Sequence, residues 1–321
     1  MATLAADLKA GRLVAVVGPT ASGKSELAID LARRLQGEVV SCDSVQVYRG
    51  LDIGSGKPTR EEQALVPHHL IDILDIDEPM NAALFARRAA EAIEHISARG
   101  RLPIVTGGTG LYLTSLLKGL FEEGESDGSV RGRLEALAAR HGTARLFRLL
   151  AAKDPEYAAK TKATDRIRIV RALEVFFTQG RPYSRAQQDR RPAFEGEALI
   201  VGLHPTRDEL RQRVSARVDR MLAQGLIEET RLALEGVAPG AALPRPLGAI
   251  GYREVVARLA EGPLDGRGDR ELQHAIVTAT MQYAKRQMTY FRRQFEVEWF
   301  SDRKAALERV ERWASSSGGA H

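Results

Sequence analysis

Eight consecutive residues, Gly18-Pro19-Thr20-Ala21-Ser22-Gly23-Lys24-Ser25, have the types and spacing of a phosphate-binding loop, G-x-x-x-x-G-K-[ST]. The glycines let backbone N–H groups wrap a phosphate, and the helix that opens at the loop adds the positive end of its dipole. Lys24 supplies a point charge, and the Ser25 hydroxyl can bind Mg2+. The bland alternative is a glycine-rich turn that matches by chance. Here an apolar strand precedes the loop and a helix follows it, as the motif requires. The loop specifies a di- or triphosphate and leaves its carrier open.

Three further features could take part in chemistry with that phosphate. Asp43, in Ser41-Cys42-Asp43-Ser44, ends a second strand. In open α/β sheets the carboxyl ends of strands line the ligand crevice. The position fits a general base or a nucleophile-orienting group, and equally a carboxylate that caps the next turn. Thr106-Gly107-Gly108-Thr109-Gly110 follows a third strand and suits either close approach of a ligand or a tight strand-to-helix turn. In the helix expected over 206–223, Leu210, Val214, Val218, Met221 and Leu222 form the core face. Arg213, Arg217 and Arg220 form an adjacent stripe, with Arg217 nearest the core, where it can point into a cleft or stay solvated.

The elements that must position these groups alternate. RLVAVV (12–17), EVVSC (38–42), LPIVTGG (102–108) and EALIVGL (197–203) read as strands, and EVEWF (296–300) as a late one. Helices are expected after the phosphate loop, with Gly37 as C-terminal stop, over 83–100, within 206–235, and over 248–260 and 269–295. This order predicts an α/β fold with a parallel sheet flanked by helices. Residues 121–129 read as a polar linker, followed by helices at 130–140, 143–152 and 164–178, the last with Ile169, Val170, Leu173, Phe176 and Phe177 on one face. The predicted organisation is a core of 1–121 and 197–321 interrupted by a small all-helical insertion domain, 122–196.

Composition is that of a soluble globular protein, 44% hydrophobic and 28% charged over 321 residues. No apolar run approaches the roughly 20 residues that span a bilayer, and MATLAADLKAGR lacks a signal-peptide core, so a cytoplasmic location is expected. The one cysteine, Cys42, excludes an intramolecular disulfide and reads as a buried small hydrophobe. His68 and His69 adjoin on an extended segment, point oppositely, and form no metal pair. The net charge of +5 suggests a polyanionic partner. The excess is concentrated in 160–192. Lys160, Lys162, Arg166, Arg168, Arg171, Arg181, Arg185, Arg190 and Arg191 stand there against Asp165, Glu174 and Asp189. Such clustering suits phosphate-backbone binding, and also an ordinary solvated face.

GPTASGKS, SCDSVQVYRGLDIGSGKP, PHHLID, VTGGTGLY, RALEVFFTQG, RVSARVDRML, AIGYRE and YAKRQMTYFRRQ occur in one order from residue 18 to about 294. Together they resemble the bacterial tRNA dimethylallyltransferase (tRNA isopentenyltransferase) family. The resemblance implies a P-loop kinase-like core whose helical insertion grips the tRNA anticodon stem-loop. It implies transfer of a dimethylallyl group from dimethylallyl diphosphate to N6 of the adenosine immediately 3′ of the anticodon. By matching motif, Asp43 is the general base, and Thr109 and Arg217 serve the transfer site and the diphosphate, beside Lys24 and Ser25. Contacts with tRNA are implied for Asp43, Ser44, Val45 and Gln46, for Thr109 and Arg131, and for Ile167, Arg168, Ile169, Val170 and Arg171. They are implied too for Gly248, Ala249, Ile250, Gly251, Tyr252 and Arg253. The cofactor implied is Mg2+ at Ser25, the partner is tRNA, and the chain is expected to act as a monomer with no membrane or protein partner. Met281 and Tyr290 stand where the family often has arginine and tryptophan, which implies altered RNA contacts at those positions.

The chemistry needs these residue types. Expelling pyrophosphate builds negative charge on the bridging oxygen, which N–H donors, Lys24, Arg217 and Mg2+ can stabilise. An exocyclic amine is a poor nucleophile, and a carboxylate that accepts its proton assists attack. The alternatives are a small-molecule or nucleotide kinase, which shares the loop and a strand-end Asp but does not explain the basic insertion, and a non-catalytic RNA-binding module that senses nucleotides.

Overall fold

Arg12–Val17 form a strand, β1, in which all six residues are buried. Even Arg12 is covered. Its Nε donates to Glu197 at 2.8 Å, and its guanidinium lies 3.8 Å over the Trp313 ring. This computed structural model describes residues 11–119, 128–238, 241–262 and 266–316. The expected linker over 121–129 falls almost wholly outside the described residues, as does the end of the C-terminal tail.

After β1 come α1 (Lys24–Arg34), β2 (Glu38–Ser41), α2 (Arg60–Leu65), β3 (His68–His69), α3 (Ala82–Ala98), β4 (Pro103–Thr106) and α4 (Gly110–Lys118). The helices α5 (Gly128–His141), α6 (Thr143–Lys153), α7 (Pro155–Ala159), α8 (Arg166–Gln179) and α9 (Tyr183–Ala186) follow. The chain then returns with β5 (Glu197–Leu203), α10 (Arg207–Ala223), α11 (Leu226–Glu235), α12 (Tyr252–Ala260), α13 (Gly266–Gln294), β6 (Glu298–Phe300) and α14 (Arg303–Ser315). It divides into two compact units, residues 1–116 with 194–321, and residues 117–193.

The first unit holds a six-stranded sheet in the order β3-β2-β4-β1-β5-β6. Every pairing is parallel. A parallel sheet must be covered on both faces, which explains its near-continuous apolar strands. On one face Leu27 and Leu31 of α1 and Leu307, Val310 and Trp313 of α14 pack on Val14, Val16, Ile104 and Val201. Each such side chain contributes about 1.5–3 kcal/mol of burial. On the other face α3 lies against β2 and β4, and Phe85 stacks on Tyr112 of α4 with centroids 4.6 Å apart. The left-handed residue that stops α1 is Gln36 (φ 51°), not Gly37 as expected. Gly37 serves packing instead, because a Cβ there would lie 2.6 Å from the Leu102 carbonyl oxygen. The register pairs Ser41 with Thr106 and Val16 with Thr106, so β2, β4 and β1 end side by side.

The second unit, 117–193, is helical. Leu134, Ala138, Leu146, Leu150, Ile169, Val170 and Leu173 form its core. Buried Asp154 caps α7 by accepting from the Tyr157 N–H (3.0 Å), and its other oxygen accepts from the Ser184 N–H (2.8 Å). Phe177, expected on the core face of α8, is 50% exposed, near the C-terminal end of the helix. In this helix buried Glu174 accepts from Arg171 at 2.7 Å. Among the described residues no helix is long and apolar enough to cross a membrane.

Candidate active site

The phosphate loop leaves β1 by a turn that only unusual backbone angles allow. Gly18 (φ 147°) and Gly23 (φ 92°) flank Ala21, itself at φ 62°. A Cβ on Gly18 would meet the Leu203 carbonyl oxygen at 2.7 Å, so the loop lies against the end of β5. Helix α1 starts at Gly23 with no side-chain cap, which leaves its first N–H groups for a ligand. The Ser22 Oγ is buried without a hydrogen-bond partner among the described residues. Among the described residues Lys24 Nζ reaches only the Pro19 carbonyl, at 3.3 Å. Burial, and then the neighbouring Arg217, lower the Lys24 ammonium from 10.5 to about 8, against the pull of Asp43 and Glu26. A buried cation with an unfavourable balance of neighbours is a site prepared for an anion.

Arg217 reaches this loop from α10. Its Nη1 donates to Thr20 Oγ1 (3.2 Å) and its Nη2 to the Ser55 carbonyl (3.4 Å). Gly56 (φ 59°) is required beside it, since a Cβ there would lie 2.0 Å from Nη2. Of the two readings of Asp43, the turn cap is observed. Its Oδ1 caps the next turn by accepting from the N–H groups of Val45 (2.8 Å) and Gln46 (3.3 Å). Its Oδ2 takes no hydrogen bond among the described residues, and the side chain borders two cavities.

Three cavities meet around these groups. An outer one of about 800 Å3 is bordered by Ser22, Ser25, Arg213, Arg217 and Arg220. An inner one of about 80 Å3 is bordered by Lys24, Ser25, Asp43, His68 and Gln287. A third, of about 320 Å3, is largely apolar, with Val45, Val214, Val218, Met221, Ile250 and Ile276 in its wall. Thr20, Asp43, Ser55, Arg217 and Tyr283 border both the inner and the third cavity, and Arg217 borders all three.

The sequence-derived candidates fall into groups. Asp43, Ser44, Val45, Gly248, Ala249, Ile250, Gly251 and Arg253 all border the third cavity with Arg217. Tyr252 does not. It is fully buried and its Oη donates to Glu229 at 2.7 Å. Gln46 borders the inner cavity, where it accepts from Ser41 (2.9 Å) and donates to the Gly56 carbonyl (3.1 Å). Thr109 borders none of the three. Its hydroxyl accepts from the Ser44 N–H at 3.2 Å and so holds the Asp43 turn. Arg131 and Ile167 to Arg171 belong to the helical unit. There Ile169 and Val170 are fully buried, which leaves Ile167 (74% exposed) and Arg168 on the surface. Arg171 is committed to the buried Glu174. Tyr290 is likewise structural, sharing a 2.9 Å hydrogen bond with Thr114.

The second glycine turn packs tightly against its neighbours. Cβ atoms on Gly107, Gly108 and Gly110 would meet the Cys42 carbonyl (2.0 Å), Gln287 Nε2 (2.1 Å) and the Tyr290 ring (2.3 Å). Protein groups thus approach all three glycines closely, while Gly107 and Gly108 also border the inner cavity. Sequence reasoning passed over Tyr283 and Gln287. Buried Gln287 accepts from the Thr20 N–H (3.0 Å) and donates to the Gly108 carbonyl (2.9 Å), joining the two loops. Burial, with Asp43 nearby, pushes the Tyr283 hydroxyl up to about 12. Their i, i+4 spacing in YAKRQ was the available signal, since it sets both on one face of α13. His68 and His69 diverge as expected, His68 towards the inner cavity and His69 onto Glu38 at 2.6 Å. Cys42 is buried, and burial raises its thiol well above the usual range.

A parallel sheet with a phosphate loop after its central strand β1, and a carboxylate after β2, one strand removed from it across β4, defines a P-loop α/β protein of kinase-like fold. The chain belongs to the IPP transferase family, whose model matches residues 46–294. It is 49% identical over 290 residues to the tRNA dimethylallyltransferase of Geobacter metallireducens, covering 90% of this chain and 92% of that one. With the Anaeromyxobacter dehalogenans tRNA dimethylallyltransferase it shares 46% over 307 residues, covering 94% and 99%. Its structure is similar to the tRNA isopentenylpyrophosphate transferase of Bacillus halodurans, with a TM-score of 0.67, 36% identity, and coverage of 96% and 97%. A eukaryotic dimethylallyltransferase described as acting on tRNA matches with a TM-score of 0.78, 26% identity, and coverage of 94% and 77%.

Proposed function

We propose that this protein transfers the dimethylallyl group of dimethylallyl diphosphate to N6 of the adenosine immediately 3′ of the anticodon in tRNA, releasing diphosphate. The observation that carries this reading is the meeting of a cationic phosphate cradle and a carboxylate where a polar and an apolar cavity join. The loop N–H groups, Lys24 and Arg217 hold the diphosphate and stabilise the charge that builds on the leaving oxygen. Asp43 Oδ2 takes the proton from the attacking amine, while Oδ1 keeps the carboxylate fixed on its turn. The apolar cavity receives the acceptor base, which must leave its stack, at a cost of a few kcal/mol.

The site suits Mg2+ held chiefly by substrate oxygens and water, with Ser25 as the protein ligand. Ser25 borders both the outer and the inner cavity. Among the described residues no group of three His, Cys, Asp or Glu gathers to form an all-protein cage. The ion would supply charge neutralisation of the diphosphate. The helical unit, 117–193, serves as the grip on the anticodon stem-loop, with Arg168 the exposed cation of its implied contact stretch.

The test incubates the protein with unmodified tRNA, Mg2+ and either dimethylallyl diphosphate or ATP, followed by digestion and mass analysis of nucleosides. A prenylated adenosine in the first arm alone is expected. Phosphoryl transfer from ATP without prenylation would favour the kinase alternative and overturn this reading.

A further inference from the structure

Arg217 borders every cavity of the site, yet its position depends on a segment that itself has little regular structure, residues 51–57. We propose that Glu229 is the positioning residue for Arg217, acting through residues 52–56 and together with Tyr252. The geometry stands by itself, and its consequence for transfer rests on the function proposed above.

The Glu229 carboxylate, on α11, accepts four hydrogen bonds. Oε2 takes the N–H groups of Asp52 and Ile53, both at 2.8 Å. Oε1 takes the Gly54 N–H at 3.0 Å and the Tyr252 hydroxyl at 2.7 Å. Four donors on one ionised group make charge-assisted bonds, stronger than neutral ones. The Tyr252 Oη also accepts from the Ser55 N–H at 3.2 Å. The Tyr252 ring is fully buried, and a Cβ on Gly54 would lie 2.4 Å from its Cζ.

Four successive N–H groups, 52 to 55, are thus engaged by one carboxylate and one phenol. That fixes the plane of the segment and directs the Ser55 carbonyl onto Arg217 Nη2 at 3.4 Å. Gly56 then lies under the guanidinium, whose other nitrogen reaches Thr20 of the phosphate loop at 3.2 Å. Neither Glu229 nor Tyr252 borders any of the three cavities, so they act through Arg217 and not on substrate. Tyr252 also lies within the 248–253 stretch, whose other members line the acceptor-side cavity. One carboxylate therefore ties the acceptor wall to the diphosphate-binding arginine.

The test is a double-mutant cycle read by binding. Affinities for inorganic pyrophosphate and for dimethylallyl diphosphate are measured with Mg2+ and without tRNA, for wild type, Glu229→Gln, Arg217→Ala and the double variant. The amide puts an NH2 among donors, so the segment should shift and Arg217 lose its place. Glu229→Gln should weaken both ligands about tenfold, the value of one charge-assisted contact. In the Arg217→Ala background the same change should weaken them less than about twofold, since coupled residues are not additive. Equal losses in both backgrounds, or unchanged affinity in Glu229→Gln, would overturn the proposal. Tyr252→Phe, which removes one bond to Glu229 and one from Ser55, repeats the cycle if Glu229→Gln fails to fold. The cycle uses no acceptor, so its failure is distinct from failure of wild type to prenylate tRNA.

Discussion

Raising the pH from 7 to 9 should weaken binding of dimethylallyl diphosphate by about tenfold, and Lys24 is the reason. Burial and Arg217 hold its unliganded pKa at about 8, below the ordinary 10.5. Diphosphate oxygens favour the ammonium, so the bound state has the higher pKa. Below pH 8 the ammonium is already present and affinity should be flat. Above it, each binding event must take up a proton, and affinity should fall as pH rises. At pH 9 roughly one Lys24 in eleven is charged, so the competent fraction, and with it the affinity, drops about tenfold, or ~1.4 kcal/mol. Calorimetry without tRNA, in buffers of different ionisation enthalpy, reads both the affinity and the proton uptake. Arg217→Gln removes a neighbouring cation, so the decline should begin at higher pH, although overall affinity is lower. Lys24→Met should bind weakly and lose the dependence. Constant affinity from pH 7 to 9.5 in the wild type, or an unaltered slope in Lys24→Met, would refute the argument.

Asp43→Asn should reduce the single-turnover rate by about 10²–10⁴-fold with tRNA affinity nearly intact, since an amide cannot accept the proton. A wild-type rate in rapid-quench measurements would remove Asp43 from the chemistry. Gly56→Ala should leave the circular dichroism spectrum unchanged but weaken diphosphate binding, because the new methyl occupies the place of the Arg217 Nη2. Arg168→Ala should make the salt dependence of tRNA binding shallower by roughly 0.7–0.9 in log–log slope if it neutralises one phosphate. Arg171→Ala should instead destabilise the fold by about 1–3 kcal/mol in denaturant titration, because Glu174 loses a partner while it is 1% exposed.

The groups legible in the sequence were those whose neighbours in space are also neighbours along the chain. The phosphate loop is eight contiguous residues between a strand and a helix, so its conformation is local and its pattern diagnostic. Asp43 was legible because strand ends in a parallel sheet share one edge. Helical periodicity alone put Arg217 beside a core face, and the structure carries it to Thr20. Periodicity said less where a side chain lies at the margin of a face, which is why Phe177 was expected inside and is exposed.

Other features depend on contacts between distant segments, and no window along the chain contains them. The strand order places β4 between β2 and β1, and this is what lays Gly107 on the Cys42 backbone. The glycines there could not be assigned to packing until Gln287 and Tyr290 of α13 were seen above them. Glu229 is an ordinary acidic residue on a helix until the fold sets the N–H groups of 52–54 against it, about 175 positions away. Asp43 could be read as cap or base, and a strand-end carboxylate has two oxygens. Only the tertiary structure tells them apart: one holds the turn, the other takes no hydrogen bond among the described residues, and the side chain borders two cavities. Sequence pattern decides which groups are available because backbone preference and periodicity are short-ranged. The fold decides which of them meet, because burial and hydrogen bonding are satisfied in space and not in chain order.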